Sequence, residues 1–522
     1  MIQLGCNELR QEIFELTSLL SKITPLLKLR DTSSSDKKTV EDLILPIAAV
    51  LNIEESPDVV VSIAGSPTDV QNLTVIIFTG EEIYESHSTP PAAVLTRRAH
   101  TLFFLLQQVS WPNNSRSRVA EAVVSAFSQD LLHKVEDKSA GDKVIIESLT
   151  NYQLGRMDEL RLTEVSRAYK SFFVDLSEPH MRHLARHILT PLGMQVSKNA
   201  DINKDTIEYW IRGLGTGIRV LEESLRKNDA EKATECLNLL IGYTTLFNDR
   251  SFIIWFSSSS VLDFARGRPS YVFRGPSYWR SLEQPDTCNF LWSIAAVSLM
   301  EGSVKNAFLS FGRYITSLVA WMSSLNTLIS SSQRVLPQCR SLNWKILHIP
   351  LCPQPPHQLS TKQSTDTSAQ RTYRDLLRTF VPLKTEYNWA SQDLKKCLDM
   401  SIGDVNDDSV RVHCEAELMG LAVASESDSR QDYDTRKIVK NMSGQLGVAR
   451  KPCYGCFVLQ GAIHEISGTS FDLPACTGQV NPWVAPPSLD IALLRKLVTH
   501  YRDKAERLIL KIRREGRDLR KR

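Results

Sequence analysis

Residues 411–423 read RVHCEAELMGLAV, and residues 451–463 read KPCYGCFVLQGAI. The first stretch sets His413 two positions before Glu415, at the head of a segment in which Ala416, Leu418, Met419 and Ala422 recur at helical spacing. The second sets Pro452 before the pair Cys453 and Cys456, between a strand-like LGVAR at 446–450 and an apolar run. One imidazole and two thiolates suit a borderline-soft ion such as zinc, which in a catalytic site takes three protein ligands and keeps a fourth position for water. His413, Cys453 and Cys456 are therefore the expected ligands of a Zn2+ ion. The C-x-x-C spacing brings both sulfurs to the start of a helix, where unpaired backbone N–H groups favour anionic sulfur, and Pro452 suits the position just ahead. Glu415, also at a helix start, is placed to put its carboxylate beside the metal without joining it, which makes it the expected general acid and base. With 10 Cys in 522 residues, chance supplies roughly 0.2 C-x-x-C pairs, and about 0.01 once a preceding Pro is required.

An H-x-E followed by P-C-x-x-C is the known signature of the zinc deaminases. In that chemistry the metal lowers the pKa of its water from about 15.7 towards roughly 7. The hydroxide attacks the carbon bearing the exocyclic amine of cytosine or adenine, and a glutamate carries the proton to departing ammonia. Longer stretches extend the likeness. HCEAEL at 413–418, LGVARKPCYGCFVL at 446–459 and GQVNPWVAPP at 478–487 resemble the deaminase-like family common in filamentous fungi and shared with Orientia-type bacterial proteins, within the nucleic-acid and nucleotide deaminase superfamily. The resemblance covers about Arg371 to Pro487. It implies a three-layer α/β/α, cytidine-deaminase-like domain, a bound zinc on His413, Cys453 and Cys456, and Glu415 as proton shuttle for a nucleobase-containing substrate. One departure concerns substrate choice: where the family pattern has Gly-x-His-Gly-Lys, this chain reads Ala475-Cys476-Thr477-Gly478-Gln479.

Around this segment, length and composition set the organisation. At 522 residues, 42% hydrophobic and 23% charged, the chain is long enough for two to four domains of roughly 150 residues each. The expected class is multi-domain, α plus α/β. Apolar residues recur at helical spacing in Ile13 to Leu29, Val94 to Val109, Val119 to Val135, Ile207 to Leu225, Ala230 to Leu246 and Leu291 to Ile329. Residues 1–340 thus read as an α-helical region, with an exception at Val59 to Tyr84, where VVVSIAG and LTVIIFTG suggest strands or buried turns. The Pro-, Ser-, Thr- and Gln-rich LCPQPPHQLSTKQSTDTSAQ at 351–370 cannot bury enough apolar surface to order itself, which places a linker over 341–370. Helix candidates Tyr373–Val381 and Ala390–Met400 follow, then the deaminase-like domain over 371–488.

The net charge is only +3, yet residues 495–522 hold 12 Lys/Arg against 4 Asp/Glu. A nearly neutral body with a basic, amphipathic C-terminal helix over 489–522 points to tail-mediated attraction to an anionic partner. Nucleic acid is the partner considered, with Arg513, Arg514 and Arg517 as contacts; a docking helix with a solvated outer face is the alternative. RGRPSYVFRGPSYWR at 266–280 mixes arginines and aromatics in the manner of base-stacking loops or of a loop packed on a helical domain. The N-terminus lacks a signal-peptide pattern, no apolar run reaches 18 residues, and the ten cysteines form no dense framework. An intracellular protein, cytoplasmic or nuclear, without a membrane span is expected. Two other uses of the cysteines stay open: a closed structural zinc site of Cys453, Cys456, His464 and Cys476, and a redox pair. A zinc-stabilised binding module without turnover is the alternative to the enzyme.

Overall fold

The computed structural model describes residues 2–23, 41–53, 59–63, 72–81, 91–109, 116–137, 140–168, 172–175, 199–248, 250–265, 302–339, 341–350, 412–424, 433–442, 444–448, 452–473, 480 and 483–520. The chain divides into two compact units. One comprises 1–48, 56–94 and 339–522, the other 49–55 and 95–338.

In chain order, the elements of the first unit are helices α1 (Ile2–Ile23) and α2 (Glu41–Leu51), strands β1 (Val59–Ile63), β2 (Asn72–Glu81) and β3 (Ser341–Pro350), helices α3 (Cys414–Val423) and α4 (Tyr433–Lys440), strand β4 (Gly447–Val448), and helices α5 (Tyr454–Ser467) and α6 (Ile491–Arg520). The last residues of α2 belong to the other unit. The β-branched runs VVVSI and LTVII form the two central strands. β1 and β2 pair antiparallel from Val59 opposite Thr79 to Ile63 opposite Val75, and β4 adds antiparallel through Val60 opposite Val448. β3 joins β2 in parallel along ten residues, from Asn72 beside Ser341 to Glu81 beside Pro350. The sheet is therefore mixed, in the order β3-β2-β1-β4. A parallel pair needs a long crossover, and here the second unit is inserted in the chain between β2 and β3.

Three sequence-based boundaries change. Residues 341–350 are strand and not linker: SLNWKILHIP alternates, with Asn343 and Lys345 exposed as on an edge strand, and Pro350, which has no N–H to give, ends it. Residues 351–411, including both helix candidates, lie outside the described residues. The segment 1–94 contributes α1, β1 and β2 to the unit that holds the motifs, so residues 1–340 are not one helical region. Within 371–488 the strand among the described residues is the two-residue β4; its neighbours in the sheet come from 59–63, 72–81 and 341–350. The stretch 119–135 is two helices, Arg116–Ala126 and Ser128–Glu136, parted at Phe127.

The second unit is helical, apart from a two-stranded ladder of Phe172–Asp175 with Asn199–Ile202. Helices Ile207–Arg226 and Ala230–Thr244 form a hairpin whose turn holds Asn228 at φ 55°, and the Asp229 carboxylate accepts from the Lys232 N–H to cap the second helix. Helix Gly302–Val335 supplies Phe308 and Phe311 to an aromatic cluster with Phe247, Phe252 and Phe256. The buried Asp158 carboxylate accepts from the Tyr152 hydroxyl at 3.0 Å and from the Ser260 hydroxyl at 2.6 Å. Among the described residues no helix is long and apolar enough to cross a membrane.

Candidate metal centre

α3 and α5 bring their N-termini together. His413 sits at the N-cap of α3 with extended backbone, and its carbonyl accepts from the N–H groups of Ala416 and Glu417. Cys453 holds the same position on α5, its carbonyl accepting from Phe457 N–H, and Cys456 follows within the first turn. An N-cap side chain normally accepts from the first free N–H groups. Neither His413 nor Cys453 makes such a bond; both side chains turn to each other.

His413 Nδ1 lies 3.3 Å from Cys456 Sγ, which is 3.5 Å from Cys453 Sγ. The three donor atoms all fall within 4.8 Å of one another. A group so compact, soft in its donors and seated at two helix N-termini could hold a metal ion. Cys456 is fully buried, Cys453 nearly so, and the His413 side chain is 30% exposed, which leaves the group open towards solvent on the imidazole side. Glu415, buried in the first turn of α3, sits beside the set with Oε1 3.6 Å from His413 Nδ1.

The four groups share charge. Burial pushes the His413 imidazole down, but the Cys453 sulfur and the Glu415 carboxylate outweigh it and hold His413 well above its usual value. Burial works against the Glu415 carboxylate too; hydrogen bonding and charge from His413 bring it below the ordinary carboxylate value. The two thiols split. Burial raises both, yet hydrogen bonding from Cys456 and the His413 charge hold the Cys453 thiol below the usual range, while the Cys453 sulfur adds to burial in pushing Cys456 well above it. The pair thus gives up its protons in two separated steps.

Packing explains the spacing of the motif. A Cβ on Gly455 would lie 2.5 Å from the Trp483 ring, so only glycine lets the indole lie flat against the start of α5. Trp483 is fully buried and donates its backbone N–H to Thr17 Oγ1 at 3.0 Å. Arg10 of α1 donates to the carbonyls of Pro487 and Leu489 at 3.0 and 3.2 Å, and Arg502 of α6 donates to the buried Glu12 carboxylate at 2.6 Å. α1 and α6 therefore form the wall behind the metal group. Gly455→Ala is expected to destabilise this unit by about 1–3 kcal/mol through overpacking and to lower metal content, read together by thermal unfolding and metal analysis.

α3 is not the amphipathic helix that its spacing suggests: residues Cys414 to Leu421 are all buried, Glu417 with them, its carboxylate accepting from Ser488 Oγ at 3.1 Å. Cys414 packs in the core and does not join the metal group. The four-ligand alternative fares poorly, because His464 is exposed about 12 Å along α5 from Cys456. Cys476 and the whole of Ala475 to Gln479 lie outside the described residues, as does 266–280. Arg513, Arg514 and Arg517 fall on the α6 backbone, but their side chains lie outside the description. The contributions of Thr17, Arg10 and Trp483 were not read from the sequence; the glycine inside C-x-x-C and the buried-type tryptophan after Asn-Pro were the available signals. No protein family, curated protein or solved structure matches the chain.

Proposed function

We propose that the chain is a zinc-dependent deaminase acting on a nucleobase, with Zn2+ held by His413 Nδ1, Cys453 and Cys456. The observation that carries this reading is the place of Glu415: a buried carboxylate 3.6 Å from His413 Nδ1, beside the three soft donors and apart from them. A structural zinc site has no use for such a group; a hydrolytic one needs it. The metal supplies Lewis acidity that makes water a nucleophile at neutral pH. Glu415 accepts a proton as water adds to the carbon bearing the exocyclic amine. It gives that proton to the adjacent ring nitrogen and then carries the proton of the added hydroxyl to the exocyclic nitrogen; the carbon–nitrogen bond breaks, and ammonia leaves as the carbonyl forms. The buried walls around Cys456 and Trp483 keep bulk water from competing for the same hydrogen bonds. The three-layer fold implied by the resemblance belongs to the same proposal, supported by α3 lying on the mixed sheet.

The test is metal analysis of the purified chain with an ammonia-release assay on cytosine and adenine nucleosides, nucleotides and single strands. About one zinc per chain and ammonia from at least one substrate are expected, with both lost in His413→Ala. Zinc without ammonia from any of them would favour the zinc-stabilised binding module.

A further inference from the structure

The outer face of α5 carries features that metal binding does not use. Phe457 is 37% exposed. Helical geometry puts it about 40° round the axis from Cys453 and about 60° from Tyr454, between a metal ligand and the side of α5 that meets α6. One turn on, a Cβ at Gly461 would touch nothing within 4 Å, so the surface beyond Phe457 is open.

On the Tyr454 side, α6 presents Lys496, His500, Lys504 and Arg507 at spacings of four, four and three, which share one helix flank. The Tyr454 hydroxyl hydrogen-bonds His500 Nε2 at 3.0 Å, and Lys504 Nζ lies 4.8 Å above the Tyr454 ring. Arg507 is exposed in the next turn. Among the described residues the acids nearby include Glu465, taken up by Lys496 at 2.6 Å, and the exposed Asp503. Half-buried His500 is lowered first by burial, then by the charges of Lys504 and Arg507, so the flank is positive. In sequence the same spacing continues at Lys511 and Arg514.

We propose that this surface binds a single-stranded nucleic acid, with a base stacked on Phe457 and neighbouring phosphates on Lys504 and Arg507. It names the substrate class of the metal centre and so rests on the deamination reading. An exposed aromatic three residues along α5 from Tyr454, whose ring Lys504 covers, offers what a strand requires: every base has a π face, and the backbone has regularly spaced charge. A free base or nucleoside has nothing to place on Lys504 and Arg507.

The experiment is fluorescence anisotropy of the full chain with a labelled mixed-sequence single strand of about 12 nucleotides, made once as DNA and once as RNA, over a salt series. Affinity is expected to fall linearly with salt on a log–log plot. In Lys504→Ala/Arg507→Ala the slope should shrink by about 1.4, for two phosphate contacts. Phe457→Ala should weaken binding roughly 5- to 150-fold, and Phe457→Tyr should restore it. Unchanged affinity and slope in these variants, or a mononucleotide that competes at the strand's own concentration, would overturn the proposal. The two readings fail separately. Strand binding lost in these variants, with no ammonia from any substrate, removes the deaminase and leaves the surface; ammonia from a mononucleotide without strand binding removes the surface and leaves the deaminase.

Discussion

Glu415→Gln is expected to keep its zinc and to lose about 10²- to 10⁴-fold in ammonia release, the range that a positioned general acid–base group supplies. Gln has the shape of Glu and can fill the same buried space, so α3 and its hold on His413 stay in place. What disappears is the acceptor. An amide can neither take the proton nor give it back. The comparison to make is single-turnover ammonia release beside zinc content. Turnover within tenfold of the wild type, at equal zinc, would remove Glu415 from the mechanism and with it the observation on which the deaminase reading stands.

The second large effect concerns stability. A ligand bound only by the folded state stabilises it by about 4.1 kcal/mol at a thousand times its dissociation constant, and for a unit of this size that corresponds to roughly 10 °C in melting temperature. Chelation of the wild type should produce such a fall, whereas Cys456→Ser should already melt low and ignore the chelator. The sign with pH follows from the same groups. His413 and Cys456 are both held above their usual values, and both must lose a proton to become ligands. Metal binding therefore releases protons and tightens as pH rises, so the drop in melting temperature on chelation should grow with pH. A chelator effect equal in wild type and Cys456→Ser would show that the metal sits elsewhere.

Much of the site was legible from residue type and spacing. His413 with Glu415 two positions on, and Cys453 with Cys456 three positions on, are local relations: a helix start determines where each pair points, whatever surrounds it. The long amphipathic helices of the second unit were legible for the same reason, since their period is written in consecutive residues. The boundary errors came where local signals compete. SLNWKILHIP was read with the polar stretch that follows it, and it becomes a strand because β2 offers ten residues of parallel partner. VVVSI and LTVII were ambiguous between strand and buried turn until each supplied the other's hydrogen bonds.

By itself, then, the sequence determined the chemistry on offer: two thiolates, an imidazole and a carboxylate at two helix starts, since short-range geometry along one chain suffices for that. Only the tertiary structure decided that the two starts meet, His413 Nδ1 to Cys456 Sγ at 3.3 Å, and what holds them there. The wall of Trp483, Thr17 and Arg10 joins residues more than 460 positions apart in sequence. Such contacts come from filling space in three dimensions, where a ring finds a glycine and a buried N–H finds a hydroxyl, and no periodicity along the chain records them.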